Sequence, residues 1–167
     1  PNITDDVACA LYAPTAGVIC PFRLNIAMAE CACQNGVDFV FDSPVSAISR
    51  FDSGFVVSTP SGEYTCSVVV NAAGCHSDEL HNMVSSTKLH ITPRRGDYML
   101  LDRSCSGLVN HVIFPQPTSL GKGILVTPTN HGNLLTGPTA TEVEHGESTE
   151  TTGKYLEIVQ RLGGKSI

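Results

Sequence analysis

The run Ser67-Val-Val-Val-Asn-Ala-Ala-Gly74, followed by Ser77-Asp-Glu79, constrains the fold more than any other part of the chain. Apolar residues without alternation are expected of a strand covered on both faces. Small residues then break the strand, and Ser77 opens a short helix with Asp78 and Glu79 in its positively polarised first turn. A strand that ends in small side chains lets the backbone approach a flat or phosphorylated ligand, and the helix start supplies unpaired N–H groups. Ala-Ala-Gly also makes an ordinary strand exit, so the motif acquires meaning only from its surroundings.

Those surroundings read as mixed α and β. Residues 1–19 are loop-like and end in the turn-rich Ala13-Pro-Thr-Ala-Gly17. A helix follows from Pro21, apolar on so many sides that burial is expected, and Asn35-Gly36 stops it. Short strands are expected at Val37–Phe41, Val45–Arg50, Phe55–Thr59 and Tyr64–Val70, with turns at Asp52-Ser-Gly54 and Pro60-Ser-Gly62. From Leu89 the pattern changes to an antiparallel meander: Tyr98–Leu101, His111–Phe114, Ile124–Pro128 and Asn133–Gly137, with a hairpin tip at Asn130-His-Gly132. A final helix is expected over Thr152–Leu162. The expected fold class is α+β.

Composition excludes several functions. Hydrophobic residues make up 41% and charged residues 16% of the 167 residues, too apolar for a disordered chain and too weakly charged for a long exposed helix. Sixteen acids against ten bases give a net charge of −6, which disfavours nucleic acid. No basic amphipathic stretch or membrane-length apolar run indicates membrane association. Seven cysteines at 9, 20, 31, 33, 66, 75 and 105 form no Cys-x-x-Cys pair. They read as small buried hydrophobes of a reducing compartment, which points to the cytoplasm and to no catalytic thiol. His76 and His81 stand five residues apart, about 140° around a helix, so no metal site is expected there or elsewhere. Gly121-Lys122-Gly123 lacks the spacing of a phosphate loop and reads as a hairpin turn. The first residue is Pro and the last residues stop at a helix exit, so the chain reads as an internal piece of a larger protein.

Taken together, Val37-Asp-Phe-Val-Phe41, Val45-Ser-Ala-Ile48, the hairpin, and Val68-Val-Val-Asn-Ala-Ala-Gly74 with Ser77-Asp78 resemble the interior of FAD-dependent oxidoreductases of the D-amino-acid oxidase and glycerol-3-phosphate dehydrogenase superfamily. Downstream, Ile91-Thr-Pro-Arg-Arg-Gly-Asp-Tyr-Met-Leu-Leu101 resembles the strand with which that family enters its substrate domain. Asn110–Phe114, Lys122–Pro128 and Gly132–Thr139 resemble the sheet that follows. The branch most resembled contains anaerobic-type glycerol-3-phosphate dehydrogenases and 2-hydroxyglutarate oxidases. The resemblance implies residues 1–88 as part of an FAD-binding α/β domain, 89–150 as a mainly antiparallel substrate-domain sheet, and 151–167 as a helix leading back toward the FAD domain. It further implies that the backbone at Val45 touches the adenine end of FAD, and that Asn71, Ala72, Ala73 and Gly74 close the nucleotide-binding layer.

Two departures qualify the resemblance. The family's Gly-x-Gly-x-x-Gly pyrophosphate turn is absent from this sequence, so the 167 residues are expected to be inactive alone and not to retain FAD. Thr127-Pro128-Thr129 stands where glycerol-3-phosphate enzymes tend to carry an Arg, which leaves a 2-hydroxy acid open as substrate.

The implied reaction moves a hydride from a small anionic hydroxy compound to the flavin. An amine or amino acid oxidase and a non-catalytic interaction module are the alternatives. Arg94 or Arg95 would fork onto the substrate's anionic group, the alternative being a solvated strand-edge Arg. His111 would accept the hydroxyl proton, the alternative being a structural histidine. His131 reads as a solvent-exposed tip residue, and residues 13–17 as either a pocket lining or a plain loop. Apolar faces left uncovered in such a piece would drive self-association.

Overall fold

In a computed structural model of the chain, residues 2–117 and 121–167 are described. The elements are α1 (Pro21–Gln34), β1 (Ala47–Phe51), β2 (Gly54–Thr59), β3 (Gly62–Cys66), α2 (Ser77–Val84), β4 (Arg94–Arg95), β5 (Met99–Leu101), β6 (Leu125–Pro128), β7 (Leu134–Gly137), β8 (Thr141–Glu142) and α3 (Gly153–Gly163). They belong to two compact units. One comprises Pro1–Cys31, Arg94–Thr141 and Ser148–Ile167; the other comprises Ala32–Pro93 and Glu142–Glu147.

The second unit is built on the antiparallel sheet β1-β2-β3. Phe51 faces Gly54 across a two-residue turn, and Thr59 faces Gly62 across another. Thr59 closes the second turn: its hydroxyl accepts from Ser61 N–H at 3.2 Å and donates to Gly62 C=O at 3.0 Å. Gly54 cannot be replaced without moving the next strand, because a Cβ there would strike the Cys66 carbonyl.

One expected strand is absent and another, Tyr64–Val70, is cut short at Cys66. Val37–Phe41 runs without a strand partner, with Phe39 and Phe41 stacked on each other at 5.9 Å. The run Ser67–Val70 follows β3 without pairing, and Val68 and Val70 are 71% and 84% exposed. The reason is positional. β2 begins at Gly54, where the chain turns from β1, so the last ladder pair is Phe55 with Cys66 and β2 has no further residue to pair with Val68–Val70. Helix α1 forms as expected but buries none of its side chains, contrary to the burial read from its apolar sequence; Phe22 is 78% exposed.

The first unit holds the antiparallel sheet β5-β7-β6, extended by a bridge between Ile113 and Val126. This is not the simple meander expected, because β5 pairs with β7 rather than with its neighbour in sequence. His111–Phe114 contributes that one bridge rather than a strand; the backbone bends at Asn110 and His111. Val109, Val126 and Leu134 form the buried centre, with Leu101, Cys105, Ile113 and Ile167 packed around it. Val159 of α3 is fully buried. Gly163 lets α3 come close to β7, since a Cβ there would stand 2.5 Å from the Thr136 hydroxyl.

None of the seven cysteines is joined in a disulfide. Only Cys20 is buried, whereas Cys9, Cys31, Cys33 and Cys75 are exposed, which corrects the reading of them as core residues. The expected turn at Gly121-Lys122-Gly123 begins directly after residues 118–120, which lie outside the described residues. Gly121 and Gly123 both take positive φ.

Candidate functional site

The second unit carries the proposed nucleotide-side residues. Asn71 builds the turn: its Oδ1 accepts from Ala73 N–H at 3.3 Å and its Nδ2 donates to the Ser77 carbonyl at 2.8 Å. Such a side chain substitutes for a backbone turn, and it ties the end of the apolar run to the first residue of α2. Gly74 follows at φ +59°, a conformation in which other residues are strained. Nothing stands within 4 Å of where a Cβ at Gly74 would be, so the space beyond it is open. Ala73 is half-buried and Ala72 exposed. Val45 is half-buried two residues before β1, and the ladder begins beside it with Ser46 N–H donating to Ser58 C=O at 2.9 Å.

Helix α2 holds down the chain that leaves it. Asp78 is buried and accepts from Ile91 N–H at 2.8 Å and from Glu79 N–H at 3.0 Å, with His90 Nδ1 at 3.7 Å. The Ile91 N–H is the main reason its carboxyl lies below the usual carboxylate range. One turn on, Asn82 reads Leu89 as a strand would, donating to its carbonyl at 2.8 Å and accepting from its N–H at 2.9 Å. His76 is held above the usual imidazole range, first by its 2.9 Å hydrogen bond with Glu79 and then by that carboxylate's charge.

In the first unit, the two adjacent arginines differ. Arg94 is exposed, whereas the Arg95 side chain is only 11% exposed. Arg95 Nε lies 3.5 Å from Asp97 Oδ2, its Nη1 donates to the Ser148 hydroxyl at 3.1 Å and lies 3.8 Å from Glu150, and its guanidinium covers the Tyr155 ring at 5.6 Å. Asp97 is in turn bound by Thr139, whose hydroxyl donates to its Oδ2 at 2.8 Å and accepts from its N–H at 2.9 Å. Arg95 is thus already compensated from within the unit. His111 is exposed, and its imidazole meets the Tyr12 ring edge-on at 5.3 Å between centroids. Pro128 lies at the end of β6, with Thr129 closing the tip: its N–H donates to Asn133 C=O at 2.8 Å and its hydroxyl accepts from Asn133 N–H at 3.0 Å. His131 sits exposed at that tip.

The sequence reading missed Asp78 as a clamp, Asp97–Thr139 as a buried pair and Tyr12 as a neighbour of His111. Asp78 stood in plain view at the helix start; the other two depend on contacts 42 and 99 residues apart in the chain. Among the described residues no group of three or more His, Cys, Asp or Glu is placed to hold a metal, and no helix is long and apolar enough to cross a membrane.

The mixed helix and antiparallel sheet architecture, with its open glycine turn between an apolar run and a helix start, matches that of FAD-dependent oxidoreductases. The chain matches the FAD dependent oxidoreductase (DAO) family over residues 1–163 and belongs to it. It is 44% identical, over its whole length, to a glycerol 3-phosphate dehydrogenase of Caloramator mitchellensis, and spans 35% of that protein. An L-2-hydroxyglutarate dehydrogenase of Escherichia coli is 29% identical over 84% of the chain, which spans 34% of it. Among solved structures, the dithionite-reduced L-α-glycerophosphate oxidase of Mycoplasma pneumoniae with FAD bound is 28% identical, covering 84% of this chain and 38% of its own, with a TM-score of 0.74. The chain therefore spans little more than a third of the length of these relatives.

Proposed function

We propose that this chain is part of an FAD-dependent dehydrogenase or oxidase that moves a hydride from a small anionic hydroxy compound to the flavin. The 44% identity to a glycerol 3-phosphate dehydrogenase, sustained over the whole chain, is the observation that carries this reading and favours glycerol 3-phosphate. A 2-hydroxy acid is the second reading, supported by the L-2-hydroxyglutarate dehydrogenase relative and by Thr127-Pro-Thr129 in place of an Arg.

Within residues 1 to about 88, the stretch from Ala32 onward carries the adenosine side of the FAD site, with the backbone at Val45 and the Asn71-Ala72-Ala73-Gly74 turn against the ligand. The open space beyond Gly74 fits a group lying flush on the main chain. Residues 89–150 carry the substrate side. When bound, FAD supplies the acceptor for the hydride that leaves the carbinol carbon. His111 takes the hydroxyl proton, leaving the substrate as the ketone. Of the two candidate arginines, Arg94 is the one exposed at the surface, and it is the one assigned to the substrate's anionic group. The net charge of −6 and the cysteines unjoined by disulfides support a cytoplasmic protein without nucleic-acid partners.

Flavin reduction in the full-length parent tests the reading. Anaerobic mixing with glycerol 3-phosphate should bleach the flavin absorbance, with Arg94→Met raising KM about tenfold or more. Bleaching by L-2-hydroxyglutarate alone would transfer the assignment to the 2-hydroxy acid. Bleaching by amino acids alone would overturn both.

A further inference from the structure

We infer that Tyr12 is a positioning residue for His111, fixing the imidazole plane that the proton transfer needs. The inference rests on the reading of His111 as the proton acceptor. His111 stands at a backbone bend between two fixed points: Val109, 6% exposed in the core, and Ile113, bridged to Val126 by hydrogen bonds of 2.8 and 3.2 Å. Its Cα is therefore held, which leaves the orientation of its exposed ring to whatever touches the ring itself. The aromatic ring that meets it belongs to Tyr12, at 5.3 Å and an interplanar angle of 90°. That geometry is the favoured edge-to-face arrangement, in which the positive edge of one ring meets the electron-rich face of the other.

Tyr12 lies on an exposed segment that is held at both ends. Asn2 donates to the Leu108 carbonyl at 2.8 Å, Thr4 N–H donates to Ser166 C=O at 3.3 Å, and Cys20 is buried beyond it. The contact thus joins two separately held stretches of one unit, 99 residues apart in sequence. A proton acceptor works only within hydrogen-bond reach of the proton and at the right angle to it, so loss of ring orientation lowers turnover more than binding.

The test uses the full-length holoenzyme labelled with ¹³Cε1-histidine, with His111→Gln to assign the His111 resonance. Wild type should show that resonance displaced by the Tyr12 ring current. Tyr12→Leu should abolish the displacement and lower kcat about tenfold, with KM within about twofold of wild type at unchanged flavin content. Tyr12→Phe, which keeps the ring, should restore both. Unchanged kcat in Tyr12→Leu alongside an inactive His111→Gln would overturn the positioning role and leave the proton-acceptor reading standing. A fall in Tyr12→Phe equal to that in Tyr12→Leu would also overturn it, assigning the effect to the hydroxyl. Wild-type kcat in His111→Gln would remove the proton-acceptor reading itself, and the positioning role with it.

Discussion

Thr139 and Asp97 show how a buried charge is accommodated in this molecule. The Asp97 side chain is 1% exposed, and its carboxylate is reached by the Thr139 hydroxyl and the Arg95 guanidinium. Burial of a carboxylate is tolerable only with such partners. Thr139→Val keeps the shape but removes a donor and an acceptor, so a loss of about 1–3 kcal/mol is expected in urea unfolding. Asp78 gives a pH-dependent counterpart. Its folded-state pKa lies below the ordinary value of 3.8, so its clamp on Ile91 contributes stability above the ordinary value and loses it as pH falls through the folded one. The protection of the Ile91 amide, its exchange rate relative to that of the unfolded chain at the same pH, should therefore be high at neutral pH and fall in strong acid, while Asp78→Asn should lower it already at neutral pH. His76 runs the other way: its stabilisation is complete below the ordinary 6.5 and fades as pH rises through its raised folded value.

Sheet β5-β7-β6 and helix α3 depend on close approach more than on length. The strands have three or four residues each, and the buried centre rests on a few side chains, above all Leu134 and Val126 at 1% exposure. Leu134→Ala should cost about 2–5 kcal/mol by denaturant unfolding, since it removes a fully packed side chain from the buried centre. Gly163→Ala should cost about 1–3 kcal/mol, because the new methyl meets Thr136 and pushes α3 off β7. The hairpins and helices were legible in the sequence because turns at residues 52–54, 60–62 and 130–132 and the stop at 35–36 are local chemistry. The crossing of β5 to β7 was not, because pairing partners depend on which strands the folded chain brings alongside.

In the molecule as a whole, apolar surface lies open on α1, on Phe41 and along Val68–Val70. Exposed patches of this kind drive association in water. The 167-residue chain should therefore show a mass rising with concentration in light scattering, and Val68→Lys with Val70→Lys should shift it toward the monomer. A chain that stays monomeric at high concentration would contradict this expectation. The same chain should purify without stoichiometric flavin, read from its visible absorbance, because its sequence holds no Gly-x-Gly-x-x-Gly turn for the pyrophosphate.

By itself the order of residues determined the family, the helix and turn positions and the Asn71–Gly74 motif, because these depend on side-chain chemistry within a few neighbours. Only the tertiary structure decided that Val37–Phe41 and Val68–Val70 stand unpaired, that Arg95 is bound to Asp97 and Glu150, and that His111 meets Tyr12. Each of those outcomes depends on what lies opposite in space, and a chain position specifies that only after the whole backbone has closed around it.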